Sequence, residues 1–466
     1  MPSPTEAHRE SDRLDPSIWK ISCVAVLGSF LAQLDATVVN VSVSSLAVTL
    51  HSSLSAMQWV TSGYLLALAL MLPLSGWMVD RIGAKALYLW CFSTFTFSSA
   101  LCGLAWSANS LIGFRILQGM SAGPLAPMAQ MMIARAAGKR MASVLGFGAM
   151  PILLAPLLGP VIAGAILQFA SWRWLFLVNV PVGVLALVLA VLLLPNDREE
   201  TKPRNLDLVG WALLSPGLVL FLYGSDHIRD RIGLVSLVGS LLLLVAFFRW
   251  ATRNKDKALI DLRLFKGKVF SASAVTQFMT NGISFAGQML IPIFLLRVGG
   301  RSPSATGLLL APLGLGMMCG YPLVGKWVKR FGNRTVSAGG AALALAGTLP
   351  FIYMASDGLV IVLLAGALFI RGVGMSAVGV PSVSAAYSSV KREDLPMATT
   401  TLNIVMRIGG PTLTTICATF LGWRLGSAPS HDGMLSAFTA AFILLCTFHG
   451  LLFAAAMRLP RSVAGD

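Results

Sequence analysis

Fourteen stretches of predominantly apolar residues govern what this chain can fold into. Each is roughly 18 to 25 residues long, the length a helix needs to cross a hydrocarbon core of about 30 Å. They fall at about 20–43, 56–78, 86–106, 110–133, 143–167, 174–194, 206–224, 232–250, 269–293, 304–328, 335–354, 358–386, 398–421 and 435–458. In lipid every backbone polar group must be satisfied internally, so such runs are expected to form helices. Only 12% of the 466 residues are charged, about half the share of an ordinary soluble domain. The chain is predicted to be an all-α integral membrane protein.

A net charge of +16 would suggest nucleic acid as the partner of a soluble protein, so the positions of the 35 Lys and Arg residues matter more than their sum. With a cytoplasmic N-terminus, 26 of them fall on the cytoplasmic side and six, Arg173, Arg229, Arg231, Arg297, Arg301 and Arg424, on the other. The remaining three, Arg115, Arg371 and Arg407, lie inside apolar runs. This is the positive-inside pattern; it places both termini in the cytoplasm and removes nucleic acid as a partner. The first 19 residues are polar, and the run that follows lacks the short core and cleavage site of a secretory signal, so it is expected to remain as the first span. Cys23, Cys91, Cys102, Cys319, Cys417 and Cys446 show neither metal-ligand nor disulfide-like spacing and are expected to be small buried packing residues. No phosphate loop, zinc-ligand cluster or nucleophile elbow occurs, and the five histidines are scattered. No metal, cofactor or enzymatic reaction is therefore expected, and energy is expected to come from an ion gradient.

Two segments align position by position: Gly76-Trp-Met-Val-Asp80-Arg81-Ile-Gly83-Ala-Lys85 and Gly325-Lys-Trp-Val-Lys329-Arg330-Phe-Gly332-Asn-Arg334. A weaker echo pairs Arg115-Ile-Leu-Gln-Gly-Met-Ser-Ala with Arg371-Gly-Val-Gly-Met-Ser-Ala. These repeats imply a duplicated half of six helices, with the seventh and eighth runs left between the copies. The expected organisation is a cytoplasmic tail over 1–19, a six-helix bundle over 20–195, a linker with two additional helices over 196–258, a second six-helix bundle over 259–460 and a tail over 461–466. Two related bundles facing a midplane cavity are the arrangement of alternating-access secondary transporters.

With Leu34-Asp35-Ala-Thr37-Val-Val-Asn40-Val in the first run and the loop Gly76 to Lys85, the chain resembles the major facilitator superfamily and, within it, the fourteen-helix drug:proton antiporter family. Further matching residues are Arg115-x-x-Gln118-Gly119, Ala155-Pro156 with Gly159-Pro160 and Gly164, and Trp172-Arg173-Trp174-Leu-Phe176-x-x-Asn179-x-Pro181-x-Gly183. Where the family's first signature ends in Ala-Leu-Pro, this chain has Ser42-Val43-Ser44, and Ala155 replaces a glycine. The resemblance implies a major facilitator fold of fourteen transmembrane helices: two six-helix bundles plus two central additional helices. It also implies export of small molecules in exchange for protons.

Asp35 is the one acidic residue deep within a run, roughly 15 residues from the start of the first. A carboxylate in hydrocarbon is costly unless protonated, paired or facing a water-filled cavity, so intramembrane acids mark ion pathways. Asp35 is expected to couple protons, and the alternative is a structural ion pair with Arg115. The resemblance implies that Arg115 assists proton transfer; Gln118 lies on the same helix face. A structural arginine on backbone carbonyls is its alternative. Gln33, Gln58, Trp59 and Tyr64, and Gln277, Asn281, Gln288, Arg371, Asn403 and Arg407, are candidates for a substrate cavity, against interhelical hydrogen bonding, interface anchoring or snorkelling. Gly76, Asp80, Arg81, Gly83 and Lys85 form either a solvated turn or a cytoplasmic gate biasing a two-state equilibrium. The Pro156, Gly159, Pro160 and Gly164 segment packs tightly or bends; the resemblance implies that it restricts proton leak.

The function expected is proton-coupled efflux of drugs or other amphiphilic compounds across a bacterial inner membrane, by a monomer whose partners are its substrate and the bilayer. Three arginines against one acid keep export of an organic acid or metal chelate open, and Pro73-Leu-Ser-Gly76-Trp77 resembles a subgroup of enterobacterial exporters. A non-transporting membrane sensor with a transporter's fold is a further alternative.

Overall fold

The computed structural model describes residues 16–138, 141–197, 205–228, 230–255, 257–427 and 430–461, and every regular element among them is helical. In order these are α1 (Pro16–Thr49), α2 (Leu54–Met71), α3 (Ser75–Ile82), α4 (Ala84–Gly103), α5 (Ala108–Ala122), α6 (Leu125–Ala137), α7 (Met141–Phe169), α8 (Trp174–Leu177) and α9 (Asn179–Leu193). They continue with α10 (Leu208–Asp226), α11 (Arg231–Asn254), α12 (Lys268–Arg297), α13 (Pro303–Leu309), α14 (Ala311–Ala346), α15 (Pro350–Asp357), α16 (Ile361–Ser388), α17 (Leu395–Ser427) and α18 (His431–Ala456).

Helix ends follow local chemistry. Ser107 and Ser110 form a reciprocal capping box at the start of α5. Pro181 carries no N–H to close on Leu177, which accounts for the break between α8 and α9. Gly83, with φ 83° and ψ 158°, turns α3 into α4, and Gly332, with φ 79° and ψ 163°, kinks α14. Both lie in a region open essentially to glycine alone. The aligned glycines of the two repeats therefore share one backbone conformation.

Among the described residues, eleven segments are long and apolar enough to cross a membrane, against fourteen apolar runs. One segment, Ala305–Ser356, joins the tenth and eleventh runs through the Gly332 kink. The fourth run divides into α5 and α6, of 15 and 13 residues, each too short to qualify. The outward face is apolar: on α11, Ile232 is 68% exposed, Val235 69% and Leu242 66%, a surface suited to lipid and not to water.

The chain divides into two compact units, residues 1–68 with 77–204 and residues 69–76 with 205–466. Val38, Val39, Met57, Val60, Leu111 and Phe176 lie in the core of the first. In the second, the Phe294 ring packs against Phe351, Phe438 and Phe442. Helices α10 and α11 belong to this second unit and pack through small residues, with Ser240 Oγ donating to the Gly217 carbonyl at 2.7 Å. Asp207 fastens the pair: it caps α10 through Gly210 N and accepts from Trp250 Nε1 at 3.0 Å and Leu259 N at 2.9 Å.

Candidate functional site

Three helices of the first unit each contribute two residues, three or four positions apart, to the network around the Asp35–Arg115 pair. These are Val60 and Tyr64 of α2, Ser99 and Cys102 of α4, and Arg115 and Gln118 of α5. That spacing puts both members on one helix face. Small residues let the helices close in: a β-carbon on Gly119 would strike the Tyr64 carbonyl, and one on Gly183 would strike the Thr96 hydroxyl.

Asp35, Arg115, Gln118 and Asn179 are all at most 2% exposed. Arg115 Nη1 donates to Asp35 Oδ2 at 2.5 Å and to Gln118 Oε1 at 2.7 Å, and Nε donates to the Val60 carbonyl at 3.1 Å. The guanidinium lies 4.1 Å from the Tyr64 ring centroid, a cation–π contact in a dry site. Its Nη2 is buried and has no hydrogen-bond partner among the described residues. The other carboxylate oxygen, Oδ1, accepts from Asn179 Nδ2 at 2.6 Å and from Gln118 Nε2 at 3.4 Å. Asn179 Nδ2 also donates to Ser99 Oγ at 3.2 Å, and Ser99 Oγ donates to the Phe176 carbonyl at 3.0 Å.

The predicted Asp35, Arg115 and Gln118 thus share one cluster. Asn179 and Ser99 were missed as site residues, although a polar Asn opening a span, within a motif already quoted, was the available signal. Tyr64 stacks on Arg115, an arrangement no spacing rule discloses.

The second unit holds the counterpart. Arg371 is 2% exposed, donating from Nη2 to the Ile283 carbonyl at 3.2 Å and from Nη1 to Thr348 Oγ1 at 3.5 Å. It lies against Gly287 of α12, where a β-carbon would strike it. Each arginine therefore reaches the opening helix of its half; Arg115 finds a carboxylate there, and Arg371 finds the Ile283 carbonyl, its other bond going to Thr348 outside that helix. Gln277 Nε2 donates to the Gly379 carbonyl and Ser382 Oγ of α16, both at 2.6 Å. Asn281, Gln288 and Asn403 donate to Gln277, Ser284 and Thr399 of their own helices. Gln33, Gln58, Trp59, Gln288 and Arg407 are exposed. Cys23 and Cys319 are also exposed, against the expectation of burial; a thiol is apolar enough for an outer helix face.

At the predicted gate, Asp197 accepts from the backbone N–H of Ala84 at 2.6 Å and of Lys85 at 3.2 Å, capping α4 at the Gly83 turn. Arg135 pairs with the same carboxylate at 3.5 Å. Lys85 Nζ donates to the carbonyls of Val191 and Leu194 at the end of α9, at 3.0 and 2.7 Å, where the helix dipole favours a cation. In the second unit Gly332 lies against Arg461, and Arg334 N donates to the Pro460 carbonyl at 3.2 Å, so each turn is capped from the segment after the last helix of its half. Arg81 lies over Trp77 at 5.6 Å, and a β-carbon on Gly76 would come 2.9 Å from the Pro396 carbonyl oxygen. Replacing Asp197 by Ala is expected to cost about 1 kcal/mol through loss of the cap. Faster amide exchange at Ala84 and Lys85 checks this, and unchanged protection would show that Asp197 does not hold the turn.

Helix α7 runs unbroken through Pro156 and Pro160, whose side chains lie outside the described residues. A β-carbon on Gly159 would come 2.5 Å from Thr37 of α1, while Gly164 meets nothing within 4 Å.

The model of the Major Facilitator Superfamily matches residues 25–414. A curated relative, the multidrug resistance protein B homolog of Mycobacterium tuberculosis, is 33% identical over 421 residues, covering 89% of this chain and 78% of that protein. The crystal structure of the human organic anion transporter MFSD10 (TETRAN) matches with a TM-score of 0.66 at 15% identity, covering 95% of this chain and 100% of that one. The proton:xylose symporter XylE, bound to 6-bromo-6-deoxy-D-glucose, matches with a TM-score of 0.63 at 17% identity, covering 92% and 94%. At such identities the two solved structures speak for the fold alone. Taken with the family match and the 33% relative, the buried arginine-centred cluster and the duplicated glycine turns identify the chain as a member of the major facilitator superfamily, a multi-pass membrane transporter and not an enzyme.

Proposed function

We propose that this transporter expels drugs or other amphiphilic small molecules in exchange for inward protons, across a bacterial inner membrane, by alternating access of two six-helix bundles. Fourteen spans, with α10 and α11 as the additional pair and both termini cytoplasmic, complete the reading. Protons are the coupling ion and no cofactor takes part. The observation that carries it is the buried pair of Asp35 and Arg115. A buried ion pair contributes little net stability, because desolvation offsets the attraction. The orphaned Arg115 Nη2 is an exception of the kind found where a polar network serves function. Protonating Asp35 weakens its attraction for Arg115, so one proton biases how α1 and α5 pack. The relative's name, multidrug resistance protein B homolog, supports drugs as the cargo.

Export of an organic anion is the second reading. Asp35 is already matched by Arg115, whereas Arg371 has no carboxylate partner among the described residues, so the buried charge of the second unit favours an anion. Efflux from energised cells lacking their main exporters, with lipophilic cations and organic acids in parallel, decides between them. Lower accumulation of one class, abolished by a protonophore, is expected. Accumulation that a protonophore leaves unchanged would remove proton coupling.

A further inference from the structure

The donors and acceptors around Asp35 are not interchangeable. An ionised carboxylate only accepts hydrogen bonds, whereas a protonated one also needs an acceptor for its O–H. Arg115 and Gln118 from α5 and Asn179 from α9 hydrogen-bond to Asp35. Arg115 can only donate. Gln118 has its Oε1 held by Arg115 Nη1 at 2.7 Å, so turning its amide would set donor against donor. Cys102 Sγ faces that same Oε1 at 3.9 Å.

Asn179 differs. Its Nδ2 meets Asp35 Oδ1 and Ser99 Oγ, and a serine hydroxyl can serve as donor or acceptor. Turned over about its last side-chain bond, the Asn179 amide would present Oδ1 to Asp35 and to Ser99. The Ser99 hydroxyl could then swing from the Phe176 carbonyl to that oxygen, so that Ser99 and Asp35 would both donate to it. A proton on Asp35 Oδ1 would leave Oδ2 still accepting from Arg115.

Resting on the proton exchange proposed above, we infer that Asn179 is a positioning residue for it. Its amide donates to the ionised Asp35 and, reversed, accepts from the protonated one, with Ser99 reversing in step. The site then changes protonation state without dismantling its shell, which matters where no solvent is at hand to compensate a lost bond.

Infrared difference spectra of the purified full-length protein in lipid vesicles, recorded between alkaline and acid pH with the proton as the only ligand, test this. Wild type is expected to show a protonated-carboxyl band that Asp35→Asn lacks. Asn179→Leu, similar in shape, should shift that band to higher frequency, because the O–H has lost its acceptor, and Asn179→Ser should move it part of the way back. Among the described residues Ser99 makes no hydrogen bond to Asp35 and bonds instead to Asn179, so a band shift in Ser99→Ala is expected to pass through Asn179; this variant removes a single oxygen and keeps the test open if Asn179→Leu does not fold. A band unmoved in Ser99→Ala and in every folded Asn179 variant overturns the relay while proton exchange stands. A wild-type spectrum with no band that Asp35→Asn removes overturns proton exchange itself, and the relay with it.

Discussion

Asp35→Asn is expected to reduce proton-driven efflux to the level of cells lacking the protein, at matched amounts in the membrane. The amide keeps the carboxylate's shape and can still accept from Arg115, yet it carries no proton that can leave. It imitates the protonated state permanently, so one half of the exchange is lost while the packing of α1, α5 and α9 survives. Removing the charge leaves the Arg115 cation buried against an amide, and breaking one side of a buried pair costs about 3–5 kcal/mol, so the comparison is made at matched amounts of folded protein. Efflux of a cation and an acid probe, each with and without protonophore, checks this against wild type. Equal export by the two proteins would assign Asp35 to structure and place coupling elsewhere.

Arg115→Met should have the largest effect on stability. It leaves the Asp35 carboxylate buried without its cation, and breaking one side of a buried pair costs about 3–5 kcal/mol. The substitution also removes the stacking over Tyr64 and the bond to the Val60 carbonyl. The double variant Asp35→Leu with Arg115→Met should regain most of the loss, since apolar residues of similar volume replace buried pairs at little cost. It should remain inactive in efflux. Thermal unfolding of the purified variants in one detergent measures both. A double variant no more stable than Arg115→Met would mean that packing, and not the unpaired charge, dominates at this site.

These two variants separate what Asp35 and Arg115 do for the fold from what they do in transport. The Gly83 and Gly332 turns show the same separation on a larger scale. Their shared backbone angles keep the duplicated design, while the groups that cap them have diverged from the Asp197 carboxylate in one half to the Pro460 carbonyl in the other.

Much of this was legible in the sequence. Apolar runs of membrane-spanning length became helices because no alternative satisfies the backbone in lipid. The match of Gly76 to Lys85 with Gly325 to Arg334 foretold two glycine turns, since those angles exclude a side chain. Asp35 stood out because a lone acid within an apolar run has a cost that demands a partner. Arg115 and Gln118 could be placed together because three residues along one helix keep one face.

Partners contributed by other helices could not be read this way. Asn179 stands 144 residues from Asp35, and Asp197 stands 113 from the Ala84 N–H it caps. Apolar runs place helices in a membrane without setting their rotation or depth against one another. Those are set by contacts such as Gly119 on the Tyr64 backbone, Gly183 on Thr96 and Gly159 on Thr37, where a missing β-carbon lets one helix settle into a single register against the next. The all-helical, membrane-spanning character of the chain and the candidacy of Asp35 and Arg115 were determined by composition and local pattern. Which amide faces the carboxylate, and which arginine has no acid beside it among the described residues, was decided only by that packing, because helix-to-helix register is a property of surfaces that meet and not of any one stretch of chain.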